Sequence, residues 1–97
     1  MKMKKGIFEE YVNKVINLFA ITKEELFAKS KRRDLVDARH LLYYLCYHRP
    51  MQIRYIQNYM AENGYTVGHS SIIHGINQVS DKTTEDKDYE NVCQSLT

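Results

Sequence analysis

The chain has 97 residues, of which 43% are hydrophobic, and a formal net charge of +2. This length suits one small domain, so we expect a single domain over residues 1–97 with its core at about 7–80. A charge so near zero excludes an indiscriminate polycation. Because no apolar run reaches membrane-spanning length and no signal peptide is visible, we expect a cytoplasmic protein without a membrane partner.

Apolar residues recur at helical spacing along most of the chain, and no strand-like alternation persists. A first helix is predicted at about residues 7–19. Thr22 followed by Glu25 is a capping-box pattern, which predicts a short second helix that buries Leu26 and Phe27. The start of the chain therefore favours an all-α fold.

A third helix is predicted from Asp34, as its N-cap, to about His48. It ends before Pro50, because the residue preceding a proline is driven away from helical geometry. Tyr44 falls opposite the apolar stripe, so we expect it to be comparatively exposed. The stripe itself comprises Leu35, Ala38, Leu42, Leu45 and Cys46.

A fourth helix is predicted at about residues 51–62, with a stop signal at Gly64, and a fifth at about 69–80. Residues 81–88 are polar, so we expect a loose acidic tail there, followed by a short docking helix within residues 89–96. These elements predict a compact helical bundle of five to six helices. The fourth and fifth helices have the chain order of a helix-turn-helix.

The fifth predicted helix divides into two faces at about 100° per residue. Its apolar face contains Ile72, Ile76 and Val79, with Gly75 beside them. Its opposite face contains Ser70, His74 and Asn77, flanked by Ser71 and Gln78. A merely solvated helix usually shows Lys and Glu in such positions. Short polar side chains near a helix N-terminus suit base edges in a major groove instead.

Charge is distributed unevenly along the chain. Residues 29–54 carry seven Lys or Arg against two Asp, whereas residues 81–97 carry two Lys against five Asp or Glu. This pattern fits either one face for an anionic partner or charges that only solvate helix surfaces. The basic connection at 29–33 precedes the fifth helix, whose first-turn N–H groups suit a phosphate.

Catalytic and metal motifs find no support in the sequence. His69 and His74 are five residues apart, so they do not share a helix face as a zinc-binding pair does. Ser70 and Ser71 lack a nucleophile elbow, and no nucleotide-binding glycine motif is present. We therefore expect no enzyme, no cofactor and no metal site. The two cysteines form no CxxC pair and are expected to be buried free thiols.

Over about residues 7–80 the chain resembles the C-terminal DNA-binding domain of the bacterial replication initiator DnaA. That family has a basic loop, then an arginine within a helix, and a last helix opening Asp-His-Thr-Thr-Val. Its fold is an all-helical bundle with a helix-turn-helix. The family places the last motif in the major groove and the basic loop in the adjacent minor groove. The corresponding stretches here are Lys31-Arg32-Arg33, Ala38-Arg39-His40 and Gly68-His69-Ser70-Ser71-Ile72.

The resemblance implies a role for each matching residue. Arg32 or Arg33 reaches the minor groove or its phosphates, and Arg39 holds a phosphate or a base edge. The start of the fifth helix contacts bases or backbone. The family's Asp is Gly68 here, which removes an acceptor suited to cytosine N4. The expected DNA-contacting residues, including two added from the helix face alone, are Lys31, Arg32, Arg33, Arg39, His69, Ser70, Ser71, His74 and Asn77.

We therefore expect a stand-alone DnaA-like module, as in a phage or mobile element, that prefers certain double-stranded DNA sequences in replication initiation or transcription control. The alternative is an adaptor or inhibitor that engages a replication protein through a tyrosine-rich surface and the acidic tail. The pairs Tyr43–Tyr47 and Tyr55–Tyr59 favour packing between helices over stacking on bases. The sequence leaves the oligomeric state open.

Overall fold

The computed structural model describes residues 4–96, which form six α-helices and no strand in that range. The all-helical prediction is therefore confirmed. None of these helices is long and apolar enough to cross a membrane. The helices are α1 Lys4–Phe19, α2 Lys23–Leu26, α3 Arg33–Tyr47, α4 Ile53–Glu62, α5 His69–Glu85 and α6 Lys87–Leu96.

All six helices contribute side chains to one hydrophobic core. The central element is α3, which packs most extensively against α5 and α1. Leu41, Leu42 and Leu45 of α3 are at most 1% exposed. Each such leucine stabilises the fold by about 1.5–3 kcal/mol through burial. The predicted apolar stripe of α3 is buried as expected. Because α5 packs mainly against α3, α3 positions α5 in the bundle.

The capping box before α2 is confirmed. The Thr22 hydroxyl accepts from the Glu25 backbone N–H at 3.1 Å, and the Glu25 carboxylate accepts from the Thr22 N–H at 2.9 Å. Leu26 and Phe27 are buried. These reciprocal bonds satisfy two donors that the helix itself leaves free, and they fix where the basic connection to α3 begins.

The start and the exposed side of α3 differ from the prediction. The N-cap is Arg32, and Asp34 lies in the first turn, where its carboxylate accepts from Arg32. Tyr44 is half-buried, with its ring centroid 4.4 Å from that of His48, and it shares a cavity with Glu90, Cys93 and Gln94 of α6. The exposed tyrosine at this end of α3 is Tyr47 instead.

The prediction of a loose segment at 81–88 is wrong, because α5 continues to Glu85 and only Asp86 separates it from α6. The Lys82 ammonium lies 3.4 Å from an Asp37 carboxylate oxygen and 5.7 Å from the centroid of the Tyr89 ring. These contacts tie the polar stretch to α3 and α6. Contacts between residues distant in sequence thus stabilise helical structure in a segment whose polar composition had predicted a loose one.

The segment expected to be an acidic tail also contributes to the core through α6. Cys93 is 3% exposed, and Cys46 of α3 is fully buried; both are free thiols, as predicted. Burial raises the pKa of the Cys46 thiol to about 12. Neither thiol is therefore exposed as a reactive group on the surface.

Candidate nucleic-acid interface

The two faces of α5 are arranged as predicted. The buried face comprises Ile72, Gly75, Ile76 and Val79, which pack against the core. The predicted contact residues of this helix are all exposed, namely His69, Ser70, Ser71, His74 and Asn77. From His69 to Gln78 the helix carries no Lys, Arg, Asp or Glu. The exposed face of this segment therefore offers hydrogen-bonding groups and carries no formal negative charge.

The N-terminus of α5 is open to a partner. Gly68 is the N-cap residue, with φ −79° and ψ 157°, and no side chain caps the helix or places an acid in its first turn. The first-turn N–H groups consequently keep the partial positive charge of a helix N-terminus. Gln57 of α4 donates to the Val67 carbonyl at 3.0 Å, which holds the preceding turn in place.

Arg39 has a different environment from the one that the DnaA resemblance implied. It is only 4% exposed. Its Nη1 donates to the carbonyl oxygens of Leu26 and Ala28 at 3.0 and 2.9 Å, and its Nη2 donates to that of Ser30 at 2.6 Å. The guanidinium also lies 4.8 Å from the ring centroid of Tyr65. Three of its five N–H donors are thus committed to the backbone, so we assign Arg39 to positioning the basic loop rather than to contacting DNA.

We define the basic loop as residues 29–33. Arg32 within it is held by two carboxylates, 2.7 Å from Asp34 and 3.0 Å from Glu25. The Arg32 guanidinium holds the pKa of the Asp34 carboxyl below its usual range. Arg33, by contrast, has a side chain that is 82% exposed and approaches Asp37 only to 3.4 Å. Of the two arginines that the sequence left open, Arg33 is the freer for a phosphate, since exposed pairs are weak.

A cleft of about 420 Å³ separates the basic loop from the start of α5. Its lining comprises Lys29, Ser30 and Lys31 of the basic loop, residues 65–68 with Ser71, and Val36, Arg39, His40 and Tyr43 of α3. Both lysines are exposed and form no ion pair with a carboxylate of residues 4–96. The cleft is therefore lined both by two exposed lysines and by residues at the positive end of a helix, a combination suited to the phosphate backbone of a nucleic acid.

Behind the exposed face, α5 approaches α3 closely at Gly75. A Cβ atom at this position would lie 2.7 Å from His40 Cδ2 and 2.9 Å from Tyr43 Cδ2. The His40 ring in turn meets the ring of His74 edge-on, with 5.9 Å between centroids. Burial, reinforced by the neighbouring His74, lowers the pKa of His40. The exposed His74 thus contacts α3 through the His40 ring.

Several residues of this surface were missing from the sequence prediction. Tyr65 and Thr66 line the cleft but lie in the irregular connection between α4 and α5, where no periodic pattern indicates which way a side chain points. Ile73 is 41% exposed although it is apolar. A helical wheel does separate Ile73 from the buried stripe, so its exposure had a signal in the sequence.

The tyrosine pairs behave as packing predicts, with one exception. Tyr55 and Tyr59 stack on each other at a centroid distance of 6.5 Å, and Tyr43 is 2% exposed. Tyr47 is exposed. Among the described side chains, no group of three or more His, Cys, Asp or Glu is placed to hold a metal ion.

Comparison with known proteins assigns no family, because the chain matches no protein-family model and no curated protein.

Proposed function

We propose that this protein binds double-stranded DNA with a preference for sequence, as a small helical module. In this proposal α4 and α5 act as a helix-turn-helix, with the exposed face of α5 in the major groove. The observation that carries the proposal is that face: exposed, polar and without formal charge, next to a cleft lined by Lys29 and Lys31. The control of replication or transcription is the setting that we propose for this activity, following the resemblance to DnaA.

The basic loop supplies affinity in this proposal, and α5 supplies preference. Phosphate contacts by Lys29, Lys31 and Arg33 are independent of sequence and release counterions. His69, Ser70, Ser71, His74 and Asn77 are all exposed, and in this proposal they contact base edges or the adjoining backbone. Arg39 acts indirectly, because it ties the loop to the core through backbone carbonyls.

The test is a titration of the protein into random-sequence duplexes at two salt concentrations, followed by sequencing of the retained DNA. We expect an enriched motif and salt-sensitive binding. Lys31→Ala and Arg33→Ala each weaken binding to all sequences and reduce the slope of log affinity against log salt by about one. Lys87→Ala removes the same charge from the acidic end of the molecule and serves as the matched control.

Variants of α5 test the preference separately from the affinity. Ser70→Ala and His69→Ala are expected to change which sequences are enriched, because each removes a hydrogen-bonding group at the helix start. If these variants and the two loop variants leave affinity and preference unchanged, the docking geometry is wrong. No retention of duplex DNA at low salt would contradict the proposal itself and would favour the adaptor alternative.

A further inference from the structure

Two polar side chains that line the cleft beside the basic loop are almost completely buried. Arg39 is 4% exposed and Tyr43 is 2% exposed, yet both belong to the lining. The phosphates of a duplex are each flanked by two sugars, so they meet the exposed Lys29 and Lys31 rather than these two side chains. The buried part of the cleft, which we call the floor, therefore has no partner in the proposed DNA complex.

The Tyr43 hydroxyl at the floor has no hydrogen-bond partner within residues 4–96. In that range the Tyr89 hydroxyl is the one fully enclosed side-chain group without a partner, so the Tyr43 hydroxyl retains access to the cleft. Burial and the neighbouring Tyr65 raise the pKa of Tyr43, while Arg39 lowers it. The hydroxyl consequently stays protonated and can donate a hydrogen bond into the cleft.

The charge of the lining selects an anion. It contains three cationic side chains, Lys29, Lys31 and Arg39, and no Asp or Glu. Arg39 uses three of its five N–H donors on backbone carbonyls, so two donors remain. The uncapped first turn of α5 at Gly68 adds backbone N–H groups at the positive end of the helix. An anion that reaches the floor thus meets positive charge and unpaired donors together.

We propose that the cleft binds a phosphomonoester, whose terminal phosphate inserts to the floor against Arg39 and Tyr43. A terminal phosphate carries a charge of about −1.5 to −2 at pH 7 and has three acceptor oxygens. An internal phosphodiester carries one charge and is enclosed by its two sugars. Lys29 and Lys31 meet the ligand at the exposed edge of the cleft.

This site is independent of the proposed function, but one consequence rests on it. Because Lys29 and Lys31 also contact duplex phosphates in the proposed DNA complex, a bound phosphomonoester competes with DNA for the basic loop. The cleft would then be an effector site at which a small phosphorylated compound weakens DNA binding.

The first test is a calorimetric titration of the protein, without DNA, with four probes. These are adenosine 5′-monophosphate, inorganic phosphate, adenosine, and a dinucleoside monophosphate whose single phosphate is internal. We expect saturable binding of the two probes with a terminal phosphate and none of adenosine. The dinucleoside monophosphate is expected to bind about tenfold more weakly or less, because it cannot bring its charged oxygens to the floor donors.

Tyr43→Phe tests the floor directly. The substitution removes the hydroxyl and keeps the ring that packs beside Gly75. We expect affinity for adenosine 5′-monophosphate to fall about tenfold, the effect of one hydrogen bond to a charged group. Stability in urea should not fall, because the hydroxyl has no partner in the fold. Tyr11→Phe is the matched control, since Tyr11 is 4% exposed on α1 and does not line the cleft.

Two results would overturn the site. One is unchanged affinity for adenosine 5′-monophosphate in Tyr43→Phe. The other is a dinucleoside monophosphate that binds as tightly as the monophosphate, since this shows general attraction to the lysines. A blunt duplex with 5′-phosphates distinguishes the two sources of a phosphomonoester. If it binds more tightly than the 5′-hydroxyl duplex, and Tyr43→Phe removes the gain, a DNA end supplies the phosphate; no gain assigns the site to a free compound.

Failure of this inference is distinguishable from failure of DNA binding. A protein that binds adenosine 5′-monophosphate but no duplex keeps the phosphate site and loses the proposed function. A protein that selects duplexes but binds neither terminal phosphate keeps the proposed function and loses this site. Where both bind, adenosine 5′-monophosphate is expected to weaken DNA binding and adenosine is not. Unchanged DNA affinity at saturating monophosphate would contradict the competition for the basic loop.

Discussion

The two halves of α5 belong to one continuous helix but differ in the charge of their exposed side chains. The first half, from His69 to Gln78, has no Lys, Arg, Asp or Glu and faces the cleft beside the basic loop. The second half exposes Asp81 and Glu85 and packs against α6, whose first turn is acidic. An anionic partner is thus attracted to one end of the helix and repelled from the other. This difference is the reason that the proposed DNA docking uses the first half.

The largest expected effect comes from removing the residue that holds the basic loop. Arg39→Ala leaves three carbonyl oxygens without their charged donor. We expect the free energy of unfolding to fall by about 2–4 kcal/mol, together with DNA affinity, because the loop loses its position. Urea unfolding and a DNA titration measure both quantities.

Arg39→Lys and Arg54→Ala are the controls for this prediction. Lysine keeps the charge, but its single ammonium cannot bridge the three carbonyls that the guanidinium fork reaches. Partial loss of stability is therefore expected for Arg39→Lys. Arg54 is exposed on α4, and its removal should leave stability nearly unchanged. Full recovery by Arg39→Lys would show that charge, rather than the fork, holds the loop.

A somewhat smaller effect is expected where the first half of α5 meets α3. In Gly75→Ala the new methyl group would lie under 3 Å from both the His40 and the Tyr43 ring. Tyr43 is 2% exposed and has little room to move. We expect a loss of about 1–3 kcal/mol in unfolding free energy, despite the better helix propensity of alanine. Ser80→Ala, on the exposed side of the second half, should cost almost nothing; equal losses would contradict the close approach.

The stability of the first half is expected to depend on pH through His40. Burial lowers the pKa of His40 below the ordinary value of 6.5, and His74 adds to this effect, while Asp37 opposes it. The unfolded chain then takes up a proton that the folded chain does not bind. Stability is therefore complete above about pH 6.5 and declines as the pH falls from there through the folded-state pKa.

Unfolding in urea at several pH values between 5 and 8 measures this dependence. His40→Gln is expected to flatten the slope near pH 6, whereas His48→Gln, which changes an exposed histidine, should retain it. Glu25 and Asp34 have lowered pKa values and titrate in a more acidic range. A slope that persists unchanged in His40→Gln would assign the titration to another group.

Neutralising the second half tests the charge contrast directly. Asp81→Asn combined with Glu85→Gln removes both carboxylates of this half and leaves Lys82 as its one charged side chain. We expect DNA affinity at low salt to rise about twofold, with the gain disappearing as salt screens the repulsion. Glu9→Gln on α1 removes one exposed negative charge elsewhere and is the control. A gain that ignored salt would point to a contact rather than to repulsion.

The smallest effect concerns the N-cap of α5. A side chain at Gly68 would meet nothing within 4 Å, and the backbone there has an ordinary φ of −79°. We expect Gly68→Asp to stabilise the fold by a few tenths of a kcal/mol, because aspartate is a slightly better N-cap than glycine. Repeated selection should also show cytosine enriched at one position, since the carboxylate accepts from cytosine N4. Lower stability would contradict the open geometry.

Local patterns predicted the parts of the molecule that depend on few neighbours. The apolar spacing of α1 and the two faces of α5 follow from a period near 3.6, and the Thr22 capping box follows from two residues three apart. The exposed polar residues of α5 could be predicted from the sequence for the same reason. None of these features requires knowledge of what packs against them.

Long-range packing decided the rest. The sequence alone established an all-helical chain, a polar uncharged face on α5 and a basic connection ahead of it. Only the tertiary structure could show that Arg39 donates to backbone carbonyls and that Tyr44 shares a cavity with residues of α6. Both facts depend on contacts between residues that are distant in sequence. Composition and periodicity carry no information about such contacts.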